Sequence, residues 1–219
     1  MARPLIQLRT GTWLYRCIIM GNLSARFVNF FSTDHILDEE TIATYIELTY
    51  LNKNEIYRVI NLLDNVNPGK LRQNPHHRFT IDEIETIFPQ LRCSPFRDSI
   101  YRVFSSKKDE RLSLEDVLDL CSAFSEHCPD NVRATWAFYV FDLNGDGEIS
   151  SNDLIETVQR LMWPHQNEYG GIDTAEAEHV ARIILQEMVF NRQGSISCEE
   201  FIRFSSRISE FWSSFRFKI

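Results

Sequence analysis

The stretch "FDLNGDGEISSND" at positions 141–153 decides how this chain folds. Twelve residues beginning at Asp142 place oxygen-bearing side chains at the first, third, fifth, ninth and twelfth positions, with Gly147 at the sixth. This spacing is typical of a loop that wraps its oxygens around a hard divalent cation, and glycine at the sixth position allows the sharp bend. The sequence therefore predicts a helix–loop–helix unit that holds Ca²⁺ and/or Mg²⁺ as its cofactor.

We expect five side chains and one backbone carbonyl to bind the ion, contributed by Asp142, Asn144, Asp146, Glu148 (through its carbonyl), Ser150 and Asp153. The last of these positions usually carries glutamate, whose two oxygens complete the larger shell of calcium. Asp153 is one methylene shorter and is expected to give one oxygen, which suits the six-coordinate shell of magnesium. The sequence thus predicts a mixed site, filled by magnesium at rest and with weakened calcium affinity.

A short pattern after the bend recurs elsewhere in the chain. It consists of an apolar residue, a hydroxyl residue, two spacers, an acidic residue and another apolar residue, and it occurs at 79–84, 112–117, 149–154 and 196–201. Serine or threonine in this place can cap the following helix, and the acid lies near its positive end. The apolar residue before it can pair with the same residue of a partner loop. Four copies predict an all-α protein built from four helix–loop–helix units in two paired lobes.

The other three loops depart from the metal-binding pattern. The fourth retains Asn191, Gln193, Ser195 and Glu200, but Val189 offers no oxygen at the first position, so we expect a weak or absent second metal site. The second loop, at 105–116, has Lys107 at the third position and no glycine at the sixth. The first loop begins at Arg72. The first two units are therefore predicted to be degenerate and structural.

The charge is distributed unevenly along the 219 residues. The net charge is −8, and the first 33 residues carry +4, which leaves −12 (−8 minus 4) on the remainder. An acidic body disfavours nucleic acid as a partner. We expect a basic flexible leader at 1–33, a non-binding N-terminal pair of units at 34–125, and a C-terminal pair with a helical tail at 126–219. Five cysteines without a CxxC motif favour reduced thiols.

Several blocks resemble the calcium-and-integrin-binding (calmyrin) family of EF-hand proteins: "ELTYLNKNEI" (47–56), "SPFRDSIYRVFS" (94–105), "LSLEDVLDLCSAFS" (112–125), "WAFYVFDLNGDG" (136–147) and "SEFWSSFRFKI" (209–219). The resemblance implies two silent hands and no enzymatic activity or small-molecule substrate. It also implies a partner, namely an amphipathic cytoplasmic helix of an integral membrane protein. Integrin α tails and transmembrane channel-like mechanotransduction channels are the family's examples. The expected location is the cytoplasm, at the inner face of the plasma membrane.

The family also implies an N-terminal lipid. Its chains commonly begin Met-Gly and are myristoylated on that glycine, whereas this chain begins Met1-Ala2. If translation starts at Met20, Gly21 becomes the residue that can be acylated. Ala25 stands where serine or threonine is favoured, so the motif is imperfect.

Paired hands form an apolar groove, and we expect a C-terminal tail to lie in or beside it until a partner helix displaces it. The predicted groove and tail residues are Trp136, Val140, Leu154, Val158, Leu161, Phe201, Phe204, Ile208, Phe211 and Phe215. Ordinary core packing also explains Phe201 and Phe204. Two further functions stay open at this point: a calcineurin-B-like regulatory subunit of an enzyme, and a divalent-ion buffer.

Overall fold

The computed structural model describes residues 36–162, 173–188 and 194–208. In these ranges the helices are α1 (Glu39–Leu48), α2 (Lys53–Val66), α3 (Lys70–Gln73), α4 (Ile81–Ile87), α5 (Pro89–Arg92), α6 (Arg97–Phe104), α7 (Leu114–Phe124), α8 (Asp130–Phe141), α9 (Ser151–Met162), α10 (Thr174–Met188) and α11 (Cys198–Ser205). None of these described helices is long and apolar enough to cross a lipid bilayer. The predicted all-α class is confirmed. The predicted leader, Gly21, Asn191, Gln193, Phe211 and Phe215 lie outside the described residues.

The helices form units in which one helix enters a loop and the next leaves it. The successive units pair α2 with α4, α6 with α7, α8 with α9, and α10 with α11. Two isolated antiparallel bridges join the loops in pairs, one between Phe79 and Leu112 and the other between Ile149 and Ile196. Within each bridge the two residues exchange backbone hydrogen bonds of 2.8–3.0 Å and 2.9 Å respectively. The predicted pairing of the apolar loop residues is therefore confirmed.

The outgoing helices begin at the predicted hydroxyl residues. The side chains of Thr80, Ser113 and Ser197 each accept a hydrogen bond from the backbone amide three residues on. The acidic side chain at that third residue accepts one in return from the backbone amide of the capping residue. Ser150 and Asp153 make the same exchange at the start of α9. A cap of this kind stabilises a helix by about 1 kcal/mol. Four copies of a six-residue pattern therefore fix where four helices begin.

One apolar core runs through the described residues, from Ile42 to Phe201. Aromatic rings connect the second unit to the third within it. Phe104 of α6 stacks on Trp136 of α8 with ring centroids 4.7 Å apart, and Phe96 meets Phe141 edge-on at 5.1 Å. The helix that enters the third loop is thus packed directly on the second unit.

Candidate metal centre

The third loop turns through two residues in the left-handed backbone region. Gly145 has a φ of 75° and Gly147 a φ of 90°. A Cβ atom at position 147 would meet nothing within 4 Å, so the requirement for glycine there is conformational rather than steric. At position 145 a Cβ atom would lie 3.1 Å from Nη1 of Arg102, a residue of α6. These two bends give the loop its curved course between α8 and α9.

Asp142 organises the loop from inside. The residue is 2 % exposed. Oδ1 accepts hydrogen bonds from the amides of Gly145 at 2.8 Å and Asp146 at 3.2 Å, and Oδ2 accepts one from Gly147 at 2.9 Å. A charged acceptor for three backbone amides stabilises the bend strongly, since hydrogen bonds to ionised groups are stronger than neutral ones.

Asp153 connects the two ends of the loop. Its Oδ1 atom accepts a hydrogen bond from the amide of Leu143 at 3.1 Å, and Oδ2 accepts from the amide and hydroxyl of Ser150 at 2.9 and 2.5 Å. The residue is 4 % exposed. A single carboxylate therefore connects the end of α8 to the first turn of α9.

Asn144 and Asp146 lie on the exposed side of the loop. Oδ2 of Asp146 accepts a hydrogen bond from the side-chain Nδ2 of Asn144 at 2.8 Å, and Oδ1 accepts one from the backbone amide of Glu148 at 2.9 Å. In residues 36–162, 173–188 and 194–208, no three His, Cys, Asp or Glu side chains are already gathered as a metal cluster. Ion binding would therefore require the exposed pair to turn towards the buried pair.

The donor set fits a hard cation. The six predicted residues offer only carboxylate, amide, hydroxyl and carbonyl oxygens, which are the ligands that Ca²⁺ and Mg²⁺ prefer. They surround one bend within twelve residues of chain. A bound divalent ion would offset two of the negative charges that the loop carboxylates carry and would fix the ends of the loop.

The part of the fourth loop that the structure describes, from Gly194 onwards, contacts the third loop. Gly194 has a φ of 78°, as a bend requires. The hydroxyl of Ser195 donates to Oε2 of Glu148 at 2.5 Å, so the two loops are joined by side chains as well as by their bridge. Glu200 is 7 % exposed and accepts from the Ser197 amide at 3.0 Å. Of the four residues predicted for a second metal site, Ser195 and Glu200 are therefore described, and Ser195 bonds to the third loop.

The predicted groove residues fall into three groups by exposure. Val140, Leu154 and Phe201 belong to the core, and Val158 is also buried. Trp136, Leu161 and Phe204 are partly buried and pack against the core. Ile208 is 40 % exposed. The packing explanation for Phe201 is thus the one that the structure favours, and a partner could reach the buried group only by displacing what covers it.

Sequence reasoning missed two arginines that reach metal-type loops. Arg102 of α6 donates to backbone carbonyls at the start of the third loop, and Arg78 enters the second loop. Both contacts join residues that are more than 35 positions apart in the chain. The available signal for Arg78 was its position next to Phe79, the residue that pairs with the second loop.

The helix–loop–helix units, their paired loops and the oxygen-lined third loop define an EF-hand calcium-binding protein. Sequence comparison supports this class, because a family model described as an EF-hand domain pair matches residues 110–161.

Curated relatives identify the family. The chain is 31% identical to mouse calcium and integrin-binding family member 3, over 74% of this chain and 98% of that protein. It is 29% identical to the human member 3, over 84% of this chain and 97% of the relative. The fruit fly member 2 is also 29% identical, over 83% and 95%. The chain belongs to the calcium and integrin-binding family of EF-hand proteins, and the resemblance seen in the sequence is confirmed.

Proposed function

We propose that this protein is a non-enzymatic EF-hand adaptor, or an auxiliary subunit of a channel, that binds an amphipathic cytoplasmic helix of an integral membrane protein. The observation that carries the proposal is the position of the Asp153 carboxylate between the end of α8 and the start of α9. A divalent ion bound beside this carboxylate would fix the angle between the two helices. The metal then acts as a brace for the partner-binding face.

The third loop is the proposed metal site, formed by the six residues named above. Magnesium competes with calcium there, because Asp153 is already bonded to Ser150 and Leu143 and has a short side chain with which to reach the ion. Glutamate at this position would reach further and offer two oxygens. We therefore propose that magnesium occupies the site at rest and that calcium replaces it only when its concentration rises.

Apolar side chains of the C-terminal half support a helical partner. Trp136, Leu161 and Phe204 are partly buried beside the core. Among the residues of this half that the structure describes, four more large apolar side chains are 40–45 % exposed: Tyr139, Met162, Ile183 and Ile208. An amphipathic helix inserts its apolar side chains into such surfaces. Because residues 34–219 carry a charge of −12, a partner helix with basic flanking residues is favoured.

The relatives described above are named as calcium and integrin-binding family members. We propose the membrane-proximal segment of an integrin α tail, or the corresponding helix of a transmembrane channel-like mechanotransduction channel, as the partner of this chain. Binding to such a partner would place the protein at the inner face of the plasma membrane.

A peptide-binding titration tests the proposal. Calorimetry would measure the affinity for a membrane-proximal integrin α-tail peptide and for a channel-derived helix, each in chelator, in magnesium and in calcium. Asp142→Ala with Asp146→Ala should weaken the peptide affinity at least tenfold in magnesium, since the brace is lost. Asp82→Ala with Glu126→Ala is the charge-matched control, because both acids are exposed and lie outside the third loop. Unchanged affinity in the folded loop variant would contradict the brace, and no affinity for either peptide would contradict the proposed partner.

A further inference from the structure

The second loop has the bend of a cation-binding loop without its glycines. Its fourth and sixth positions are Lys108 and Glu110, with φ values of 54° and 59°. The same two positions of the third loop are Gly145 and Gly147, which are also left-handed. Residues with a Cβ atom adopt this conformation at a cost. Something must therefore hold the second loop in this shape.

Arg78 fills the centre of that loop. Its Nε and Nη2 atoms donate to the two carboxylate oxygens of Asp109 at 3.1 and 2.8 Å. Its Nη1 atom donates to Oδ2 of Asp116 at 3.1 Å and to the hydroxyl of Ser106 at 3.1 Å. Nη2 also reaches the hydroxyl of Ser105 at 3.2 Å and the carbonyl of Arg111 at 2.6 Å. All three nitrogens of the guanidinium are therefore bonded inside one loop.

The acceptors stand at the positions that bind metal in a functional loop. Ser105 is at the first position, Asp109 at the fifth, the Arg111 carbonyl at the seventh and Asp116 at the twelfth. The third loop offers Asp142, Asp146, the Glu148 carbonyl and Asp153 at those positions. Four of the six ligand positions of a cation loop thus point at the guanidinium.

The closing aspartates of the two loops also match. Asp116 accepts hydrogen bonds from the amide of Ser113 at 3.0 Å and from the amide of Ser106 at 3.3 Å. Asp153 accepts from the amides at the same ninth and second positions of its own loop. The second loop differs in that its closing carboxylate also accepts from a cation that the chain itself supplies.

The paired loops deliver Arg78 to this place. It precedes Phe79, whose backbone exchanges hydrogen bonds with Leu112 of the second loop. The Arg78 side chain is 11% exposed and that of Asp116 6%. The hydrogen bond from Arg78 holds the pKa of Asp109 well below its usual range, and the same bond raises the pKa of the arginine. The carboxylates of Asp109 and Asp116 are thus paired with a cation that the chain itself supplies.

We propose that the second EF-hand loop is a cation site whose resident ligand is the guanidinium of Arg78. The first hand supplies the cation for the second, so the N-terminal pair holds a cation-bound conformation without metal. This pair then gives no response to calcium or magnesium, and the response to ions belongs to the C-terminal half. The inference goes beyond the proposed adaptor function and concerns a loop outside the proposed metal site.

A double-mutant cycle in thermal unfolding tests the charge pairing. Arg78→Met should lower Tm by about 6–15 °C, because it leaves two carboxylates without their cation. Asp109→Asn should lower Tm in the wild-type background and raise it in the Arg78→Met background, where it removes repulsion with Asp116. Arg160→Met is the matched control, since Arg160 makes a two-oxygen pair with Asp98 outside any loop, and it should leave the Asp109→Asn effect unchanged. A drop in Tm from Asp109→Asn of the same size in both backgrounds would overturn the proposal.

If Arg78→Met does not fold, Arg78→Lys and Asp109→Asn form a second cycle. Lysine keeps the charge but lacks the forked donors, so Arg78→Lys should lower Tm less than Arg78→Met, and Asp109→Asn should lower Tm less in the Arg78→Lys background than in the wild type. Hydrogen exchange supplies the second readout. In the wild-type protein, exchange at the amides of Phe79 and Leu112 should change less than twofold between chelator and calcium, while exchange at Ile149 and Ile196 slows in calcium. Arg78→Lys should accelerate exchange at Phe79 and Leu112 about tenfold. Equal responses to calcium at both bridges of the wild-type protein would show that the N-terminal pair is not held by its own arginine.

Discussion

The Nη2 atom of Arg102 donates to the backbone carbonyl of Asp142 at 2.5 Å and to that of Tyr139 at 3.0 Å. Arg102 belongs to α6 of the second unit, while Asp142 is the first residue of the third loop. The carbonyls at the end of α8 form the negative end of that helix, so a cation there is stabilising. A residue of the second helix–loop–helix unit therefore caps the helix that leads into the proposed metal loop.

Replacing this cap should weaken metal binding at a distance. Arg102→Gln is expected to reduce the stability of the folded protein by about 1–3 kcal/mol, because the carbonyls of a helix end lose a charged donor. We expect the magnesium and calcium affinities of the third loop to fall several-fold, as measured by calorimetry. Arg58→Gln is the control, because Arg58 is exposed on α2 and remote from the third loop in the chain. Unchanged metal affinity in Arg102→Gln would show that the cap does not support the loop.

A side chain at position 147 should carry a conformational cost. The φ of 90° at Gly147 is unfavourable for any residue with a Cβ atom, although the space around it is open. Gly147→Ala should therefore destabilise the loop by about 1–2 kcal/mol and lower metal affinity about tenfold. Thermal unfolding in chelator and in magnesium separates the two effects. Gly69→Ala, at a φ of 74° outside the third loop, controls for the general cost of an alanine in the left-handed region. An equal loss of metal affinity in Gly69→Ala would contradict a specific role for the bend at Gly147.

The ion preference should depend on the length of residue 153. Asp153→Glu adds one methylene, which lets both carboxylate oxygens reach the ion. We therefore expect calcium affinity to rise about tenfold or more relative to magnesium affinity. Competitive calorimetry in the presence of millimolar magnesium measures the change. Glu148→Gln serves as control because the proposed ligand there is the backbone carbonyl, which the substitution keeps. An unaltered calcium-to-magnesium ratio in Asp153→Glu would mean that another residue sets the selectivity.

The ion pairs of Glu85 predict that the free energy of unfolding depends on pH in the acidic range. This carboxylate is buried and bonded to Arg92 and Arg97. Burial raises its pKa, but the two arginines together outweigh burial and hold the pKa below its ordinary value. Its contribution is therefore full above about pH 4.3, the unfolded value, and is lost as pH falls through the lower folded value.

Urea unfolding of Glu85→Gln measures this contribution. At pH 7 the variant should be less stable than the wild type by about 1–3 kcal/mol. The difference should shrink as the pH is lowered well below 4, with both proteins in chelator so that metal binding does not contribute. Glu40→Gln, at an exposed site on α1, should show no such trend. A gap between wild type and Glu85→Gln that is constant with pH would contradict the ion-pair explanation.

Structural features that depend on residues close together in the chain could be predicted from the sequence. The capping pairs Thr80 with Glu83, and Ser113 with Asp116, form as the repeated pattern indicates. The bridge residues Ile149 and Ile196 follow from the repeat in the same way. Burial was harder to predict, because a stripe of apolar residues on a helix fits a groove and a core equally well. Val140 and Leu154 are core residues in the structure, and periodicity alone could not distinguish the two.

By itself the sequence determined the four repeated units, the starts of their outgoing helices, the two glycine bends of the third loop and the oxygens around it. Each of these features arises within about twelve consecutive residues, where the spacing along one helix or loop determines which side chains and backbone groups can contact each other. Only the tertiary structure decided that Arg78 enters the second loop and that Arg102 caps the third. Long flexible side chains reach many acceptors, and the pairing of distant loops and helices selects one of them.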